Sequence, residues 1–146
     1  MPLTDNALIF AEAVFDKLEL NKGQLGLQAV WFGDQDRLPS TPCATIEAGP
    51  KQRQLQGAPR RMLVELTTYV MLYVSIIQDS QENERLAMSL AEETEAVLHA
   101  DSTFGNLVNH SYVSANDPGY AKRGGTLLRA SRLTFTGQSL VQLPYG

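Results

Sequence analysis

The chain has 146 residues, of which 43% are hydrophobic and 19% charged, and its formal net charge is −4. This length suits one globular domain with a full core rather than two domains, and the acidic balance gives no general affinity for nucleic acid or anionic membranes. The single cysteine, Cys43, excludes an internal disulfide, and the first residues lack a secretory signal, so we expect a soluble protein of a reducing compartment, in the cytosol or in a particle assembled there.

The first half of the chain predicts one helix and two short strands. Thr4 or Asp5 can cap the helix, and Asn21-Lys22-Gly23 ends it. Residues 27–32 and 43–47 predict the short strands, with a turn at 33–36 after the first. The helix has apolar residues at helical spacing along one stripe: Ala7, Phe10, Ala11, Val14 and Leu18.

The stretch 62–77 predicts the long central strand of a sheet, because it is rich in β-branched and aromatic residues and contains no Gly or Pro. Its even-numbered residues are nearly all apolar, which predicts a face turned to the core. A strand of this length would span roughly 50 Å, whereas a compact domain of this size is only about 40 Å across. We therefore expect the strand either to bend or to project past its own core.

The odd-numbered face of this strand is polar at its start and apolar further on, where it carries Tyr69, Met71, Tyr73 and Ile77. Exposed apolar surface of this kind marks an interaction site. Another copy of the same protein is the simplest cover for it. We therefore predict that these four residues form an oligomer interface.

The second half predicts one helix and two strands. Asp79-Ser80-Gln81-Glu82 resembles a capping box, and residues 101–105 break the helix that follows. Residues 107–115 predict a strand, 116–119 a strong turn, 121–125 a flexible basic segment, and 126–136 the last strand. The apolar stripe of the helix comprises Leu86, Leu90, Thr94 and Val97, with Ala87, Ala91 and Leu98 beside it.

This order of elements predicts an α+β domain with a mostly antiparallel sheet, a long central strand and two helices packed on one face. We expect the domain to occupy residues 1–137 and a C-terminal tail to occupy residues 138–146. No internal repeat or low-complexity tract interrupts it.

Charge is separated along the chain. Residues 62–117 contain nine acidic residues and one basic residue. Residues 118–146 contain a basic segment, and residues 49–61, which we call the basic arm, contain another. The cations are Lys122, Arg123, Arg129 and Arg132 in the segment, and Lys51, Arg53, Arg60 and Arg61 in the arm.

The basic arm begins and ends near proline and contains glycine, which predicts a loop or an exposed hairpin. It is either a solvated loop or an electropositive edge that meets an acidic partner or a phosphate backbone. The arm has no aromatic residue on which a base could stack. Passage of DNA past the arm therefore fits better than recognition of a DNA sequence.

No pattern in the sequence predicts catalysis or a metal site. His99 and His110 have no Cys, Asp or Glu at a repeated metal-ligand spacing, and Glu92 and Glu93 diverge on a helix instead of pairing. The sequence has neither a phosphate-binding glycine loop nor a nucleophile elbow. A pair of Cys43 with a histidine is conceivable, but a lone cysteine in an apolar strand is more often a buried hydrophobe. We expect no enzymatic activity and no cofactor.

Four short motifs accompany the order of elements: P-C-A-T-I-E-A-G-P at 42–50, Q-L-Q-G-A-P-R-R at 54–61, A-D-S-T-F-G at 100–105 and R-L-T-F-T-G at 132–137. Together they resemble the tail terminator and tail completion proteins of long-tailed bacteriophages. The resemblance covers most of residues 1–137.

The resemblance implies a structural virion protein that forms a ring, usually of six copies, at the head-proximal end of the tail tube. Such a ring stops tube growth, docks to the head connector and lets double-stranded DNA pass through its lumen. The basic arm would then lie near the ring interface or the lumen, and the long strand would build the inner wall.

The implied partners are other copies of the chain, the tail-tube protein and a head connector or neck protein, assembled in the host cytoplasm without a membrane. Within this class, a head–tail connector or a tail-tube subunit is the alternative. From other classes, a nucleic-acid-binding module and a small-ligand-binding or enzymatic α+β domain that uses Cys43 also remain open.

Overall fold

A computed structural model describes residues 3–56, 61–76 and 80–142 of the chain. These ranges contain three helices and five strands. In chain order they are α1 (Ala7–Leu20), α2 (Lys22–Leu25), β1 (Ala29–Phe32), β2 (Cys43–Leu55), β3 (Arg61–Ser75), α3 (Ser80–His99), β4 (His110–Arg123) and β5 (Thr126–Gln142). No helix in these ranges combines the length and the apolar character that crossing a bilayer requires.

The five strands form one sheet in the order β1-β2-β3-β5-β4. Only β1 and β2 are parallel, and the three other pairings are antiparallel. Helices α1 and α3 pack on the same face and contact each other. The predicted α+β class, with a mostly antiparallel sheet and helices on one face, is confirmed.

Strand β3 is the long central strand that its composition predicts, and it lies third in the sheet of five. Its even-numbered side chains from Val64 to Val74 are buried under the helices. The strand ends at Ser75, so Ile76 lies beyond it and is exposed. Ile77, a predicted interface residue, lies outside the described ranges.

The core beneath the helices is centred on three aromatic rings. The ring of Phe10 stacks on that of Phe135 at 5.7 Å and meets the edge of Phe104 at 6.1 Å. Gly137 lies on β5 directly below Phe10, where an added Cβ would come within 2.7 Å of the ring. The absence of a side chain at Gly137 therefore lets α1 pack closely on the sheet.

Each long helix differs from its prediction in one detail, the capping residue in α1 and one residue of the apolar stripe in α3. Asn6, rather than Thr4 or Asp5, caps α1, because its side-chain oxygen accepts hydrogen bonds from the backbone N–H groups of Leu8 and Ile9 at 2.9 and 3.2 Å. In α3 the predicted stripe is buried except for Leu86, which is exposed. Asp79 of the predicted capping box lies outside the described ranges.

Strands β2, β4 and β5 are longer than the sequence predicts. Strand β2 continues from the predicted end at 47 to Leu55, and β5 continues from 136 to Gln142. Residues 138–142 pair with β3 and therefore belong to the domain, not to a tail that starts at 138. Of the basic arm, residues up to Leu55 lie in β2 and Arg61 begins β3, and residues 51–55 pair with 62–66. Residues 57–60 of the arm lie outside the described ranges.

The predicted turn at 116–119 is wrong, because these residues lie inside strand β4. Pro118 is accommodated there because β4 is an edge strand that pairs only with β5, so a missing N–H costs no ladder bond on the outer side. The chain turns instead at Gly124 and Gly125, whose φ angles of 59° and 80° suit a two-residue hairpin turn. Residues 121–123, predicted as flexible, are part of the strand.

Candidate assembly surface

The sheet has one face covered by helices and one face that we call the helix-free face. The helix-free face of β3 carries Leu63, Glu65, Thr67, Tyr69 and Met71, all of which are half-buried. Their cross-strand neighbours on β5 and β4 bring further apolar side chains to the same face, and both Leu140 and Tyr112 are 39% exposed. Two of the predicted interface residues, Tyr69 and Met71, therefore lie on an open, mixed polar and apolar surface.

Tyr73 does not belong to this open surface, so its prediction as an interface residue is wrong. Its side chain is buried in a small second core with Cys43, Leu128 and Ala130. Residues 33–42, the connection between β1 and β2, cover this end of the helix-free face, and Leu38 packs against the cluster. The sequence shows the alternation along β3 but not which loop folds over its end.

The covering connection is held by a network around Arg123. The Arg123 guanidinium donates to Asp34 Oδ1 at 3.2 Å and to Tyr73 Oη at 3.2 Å. Burial raises the pKa of Tyr73 above its ordinary value, while the nearby Arg123 charge acts in the opposite direction. On the other side of the loop, the hydroxyls of Thr41 and Ser75 are hydrogen-bonded to each other.

The middle of the helix-free face does not attract phosphate. Glu47 and Glu65 lie there, and Gln138 donates to Glu65 at 3.1 Å. Arg132 lies 5.0 Å from the centre of the Tyr69 ring and 3.8 Å from the carboxylate of Asp117, so its charge is shared with an acid. This balance disfavours the interpretation of the face as a nucleic-acid-binding surface.

The basic arm is exposed, but two of its cations contact the segment before α1. Lys51 Nζ donates to the backbone oxygen of Asp5 at 2.7 Å, and Arg53 lies 3.6 Å from the Asp5 carboxylate. Arg61 is exposed at the start of β3, and Arg60 lies outside the described ranges. The arm keeps a net positive charge, because Asp5 supplies one negative charge against at least three cations.

The second basic segment does not form one surface. Arg129 is buried and binds Glu84 at 2.9 Å on the helix-covered side, whereas Arg132 lies on the helix-free side. Arg123 binds Asp34 in the network described above, and Lys122 is exposed at the end of β4. Three of its four cations are therefore paired within the chain, which the sequence could not show because their partners are distant along it.

The structure does not bring Cys43 together with a histidine. Cys43 lies on the helix-free face, whereas His99 ends α3 on the other face and accepts a hydrogen bond from the backbone N–H of Val113 at 2.9 Å. His110 is at the opposite end of the sheet. Within the described ranges, no three side chains of His, Cys, Asp or Glu are grouped to hold a metal ion.

Burial also raises the pKa of the Cys43 thiol from 9.0 to about 11. The thiolate is the reactive form, so two pKa units reduce its fraction about 100-fold at pH 8. We expect Ellman's reagent to modify Cys43 at least about 100-fold more slowly in the native protein than in denaturant at that pH. Fast, stoichiometric labelling of the native protein would contradict this placement.

A Ser89→Cys variant is the control, because Ser89 is exposed on α3 and its new thiol should react at an ordinary rate.

The raised pKa of the Cys43 thiol also affects the stability of the protein. The folded protein holds the thiol proton more tightly than the unfolded chain, so the contribution of Cys43 to stability is complete below about pH 9 and is lost as the pH rises towards 11.

A groove of about 370 Å³ lies between α1 and the turn at 101–107. It is lined mainly by apolar atoms, including those of Phe104 and Leu107, with Asp16, Lys17 and Asp101 at its rim. Hydrogen bonds from Gly105 and Thr103 lower the pKa of Asp101, so this carboxylate is poorly suited to act as a base. The groove therefore adds little to the ligand-binding alternative.

No family model matches the chain, and a search of curated proteins found no significant match. The candidate functional features are therefore the helix-free face of the sheet and the exposed arm. The sequence predicts the arm, Tyr69 and Met71 as surface candidates, but it gives no indication of Leu63, Tyr112 and Leu140, which lie on the same face. Their contribution follows from strand register, which alternation within a single strand does not give.

Proposed function

We propose that the chain is a structural subunit of a bacteriophage tail, which closes into a ring at the head-proximal end of the tail tube. The ring ends tube growth, docks to the head connector and lets DNA pass. One observation supports this proposal above the others: a long central strand is covered by helices on one face, while on the other face the half-buried Tyr69 and Met71 have no helix over them. The kind of particle is inferred from the element order and the four short motifs, which resemble those of tail terminator proteins.

The helix-free face favours self-assembly. The apolar side chains on this mixed face gain free energy when another surface covers them, at about 25 cal/mol per Å² of apolar area. Head-to-tail contacts between identical subunits close into a ring when the rotation between neighbours closes.

The substitution Tyr69→Asp tests the proposal. In the isolated subunit the new carboxylate remains partly solvated, so we expect a folded protein with a melting temperature within a few degrees of the native one. In the ring it would be buried without a partner, which costs several kcal/mol. We expect the variant to sediment as a monomer at concentrations at which the native protein forms rings visible by negative-stain microscopy.

Ser89→Asp is the matched control, since it adds the same charge at an exposed site on α3 and should assemble normally. A native protein that stays monomeric at high concentration, with the helix-free face open to solvent, would contradict the proposal. Rings formed equally well by Tyr69→Asp would leave a ring in place but remove this face from its interface.

A further inference from the structure

A second groove lies between α3 and the edge strand β4, on the helix-covered side of the sheet. It has a volume of about 270 Å³, and Met88, Ala91 and Pro118 supply apolar atoms to its lining. Met88 is 56% exposed, so an apolar side chain lies open to solvent there. Because β4 pairs only with β5, the groove is accessible from the outer edge of the sheet.

The groove is acidic. Glu84, Glu92 and Glu95 line it, together with one cation, Arg129. Arg129 donates to both carboxylate oxygens of Glu84, at 2.9 and 3.1 Å, and Asn116 donates to Glu95 at 3.0 Å. Three carboxylates against one guanidinium give a net charge of −2 at neutral pH.

The basic arm lies towards the opposite edge of the sheet from the groove. Strands β3 and β5 separate β2 from β4, which places the arm about 14 Å from β4 across the sheet at about 4.8 Å per strand. Helices α1 and α3 pack on the sheet between them. A chain therefore cannot place its own arm in its own groove, but two copies side by side bring opposite charges together.

We propose that the groove between α3 and β4 receives the basic arm of a neighbouring copy. This inference rests on the ring proposed above and adds a second contact between neighbouring subunits, beside that of the helix-free face. The contact is head-to-tail, because the two complementary surfaces are different and lie at opposite sides of the subunit. On binding, Lys51 and Arg53 exchange their contacts with Asp5 of their own chain for the groove. Their methylene groups pack on Met88, while their charged ends meet the carboxylates at the rim.

Two charge-reversed proteins test this contact. The arm variant carries Lys51→Glu, Arg53→Glu and Arg61→Glu, which change the net charge of the arm from +4 to −2. The groove variant carries Glu92→Arg and Glu95→Arg, which change the net charge of the groove from −2 to +2. All five positions lie at or near the surface, so the change in folding stability should be small, and thermal melts followed by circular dichroism check this. Each variant alone places like charges in contact, so we expect at least a 10-fold higher concentration for ring formation.

A 1:1 mixture of the two variants gives the decisive result. The acidic arm of one fits the basic groove of the other, and the remaining basic arm fits the remaining acidic groove. We expect the mixture to form rings of alternating subunits at a concentration within about 3-fold of that of the native protein, since each contact is again between opposite charges. Sedimentation velocity measures the ring fraction, and raised salt should weaken native rings.

The matched control reverses two other exposed acids, Glu12→Arg and Glu93→Arg. Glu93 follows Glu92 on α3 but does not line the groove, because adjacent helical residues point in different directions. This control should form rings as the native protein does. Normal rings from each charge-reversed variant alone, or a mixture that does not recover, would overturn the arm–groove contact and leave the ring itself standing. A native protein that never oligomerises would overturn both proposals.

Discussion

Replacing Val70 by aspartate is expected to prevent folding of the subunit. Val70 lies in the middle of β3, is 0% exposed and packs beneath the helices with Ile46 and Leu133 on the neighbouring strands. The substitution removes about 1.5–3 kcal/mol of apolar burial. It also buries a carboxyl group without a partner, which costs several kcal/mol more. Since a domain of this size is stable by only about 5–15 kcal/mol, the sum removes most or all of its stability.

The measurement is a urea unfolding curve followed by circular dichroism. The neighbouring substitution Tyr69→Asp provides the control, because it adds the same charge one residue away on the opposite face and should leave the cooperative transition in place. A soluble Val70→Asp protein with a native-like midpoint would mean that the two faces of β3 have been assigned the wrong way round.

The substitution Phe10→Ala is expected to cost about 3–5 kcal/mol, the range for deleting a buried aromatic side chain. Phe10 is fully buried between Phe104 and Phe135, and its ring also fills the space above Gly137, which has no side chain of its own. Without this ring, α1 loses its main anchor on the sheet. A urea titration should show a lower midpoint with an unchanged slope.

Leu20→Ala is the comparison within the same helix. Leu20 is 83% exposed, and its truncation should change the free energy of unfolding by less than about 0.5 kcal/mol. Equal effects at the two positions would show that α1 is not packed through Phe10.

Much of the fold could be predicted from local pattern. The alternation in β3 and the apolar stripe of α1 follow directly from which side chains are buried, so the sequence predicts the core-facing side of both elements. The turn predicted at 116–119 failed because Pro118 favours turns locally but is tolerated on an edge strand, and edge position depends on the whole sheet. The same reasoning applies to β2, whose exposed second half lacks the alternation of a half-buried strand.

The candidate site could be predicted only in part. The basic arm was recognisable from its charge and its prolines, and Tyr69 and Met71 from the strand pattern. Tyr73 was wrongly grouped with them, because the loop that buries it comes from residues 33–42, about thirty positions earlier in the sequence. The acidic groove was also missed, since Glu95 and Asn116 meet only after α3 folds against β4.

The two-residue turn at Gly124 and Gly125 bears on how the chain reaches its native topology. It joins β4 and β5, which have 14 and 17 residues, so their pairing can begin next to the turn and extend residue by residue away from it. Bringing the two strands together across so short a loop costs little conformational entropy. At the other edge of the sheet, the parallel strands β1 and β2 can pair only after the connection between them, residues 33–42, has become ordered. During synthesis, the part of the sheet made last is thus the part best able to form without help, and the four-residue β1 is the part most dependent on the rest.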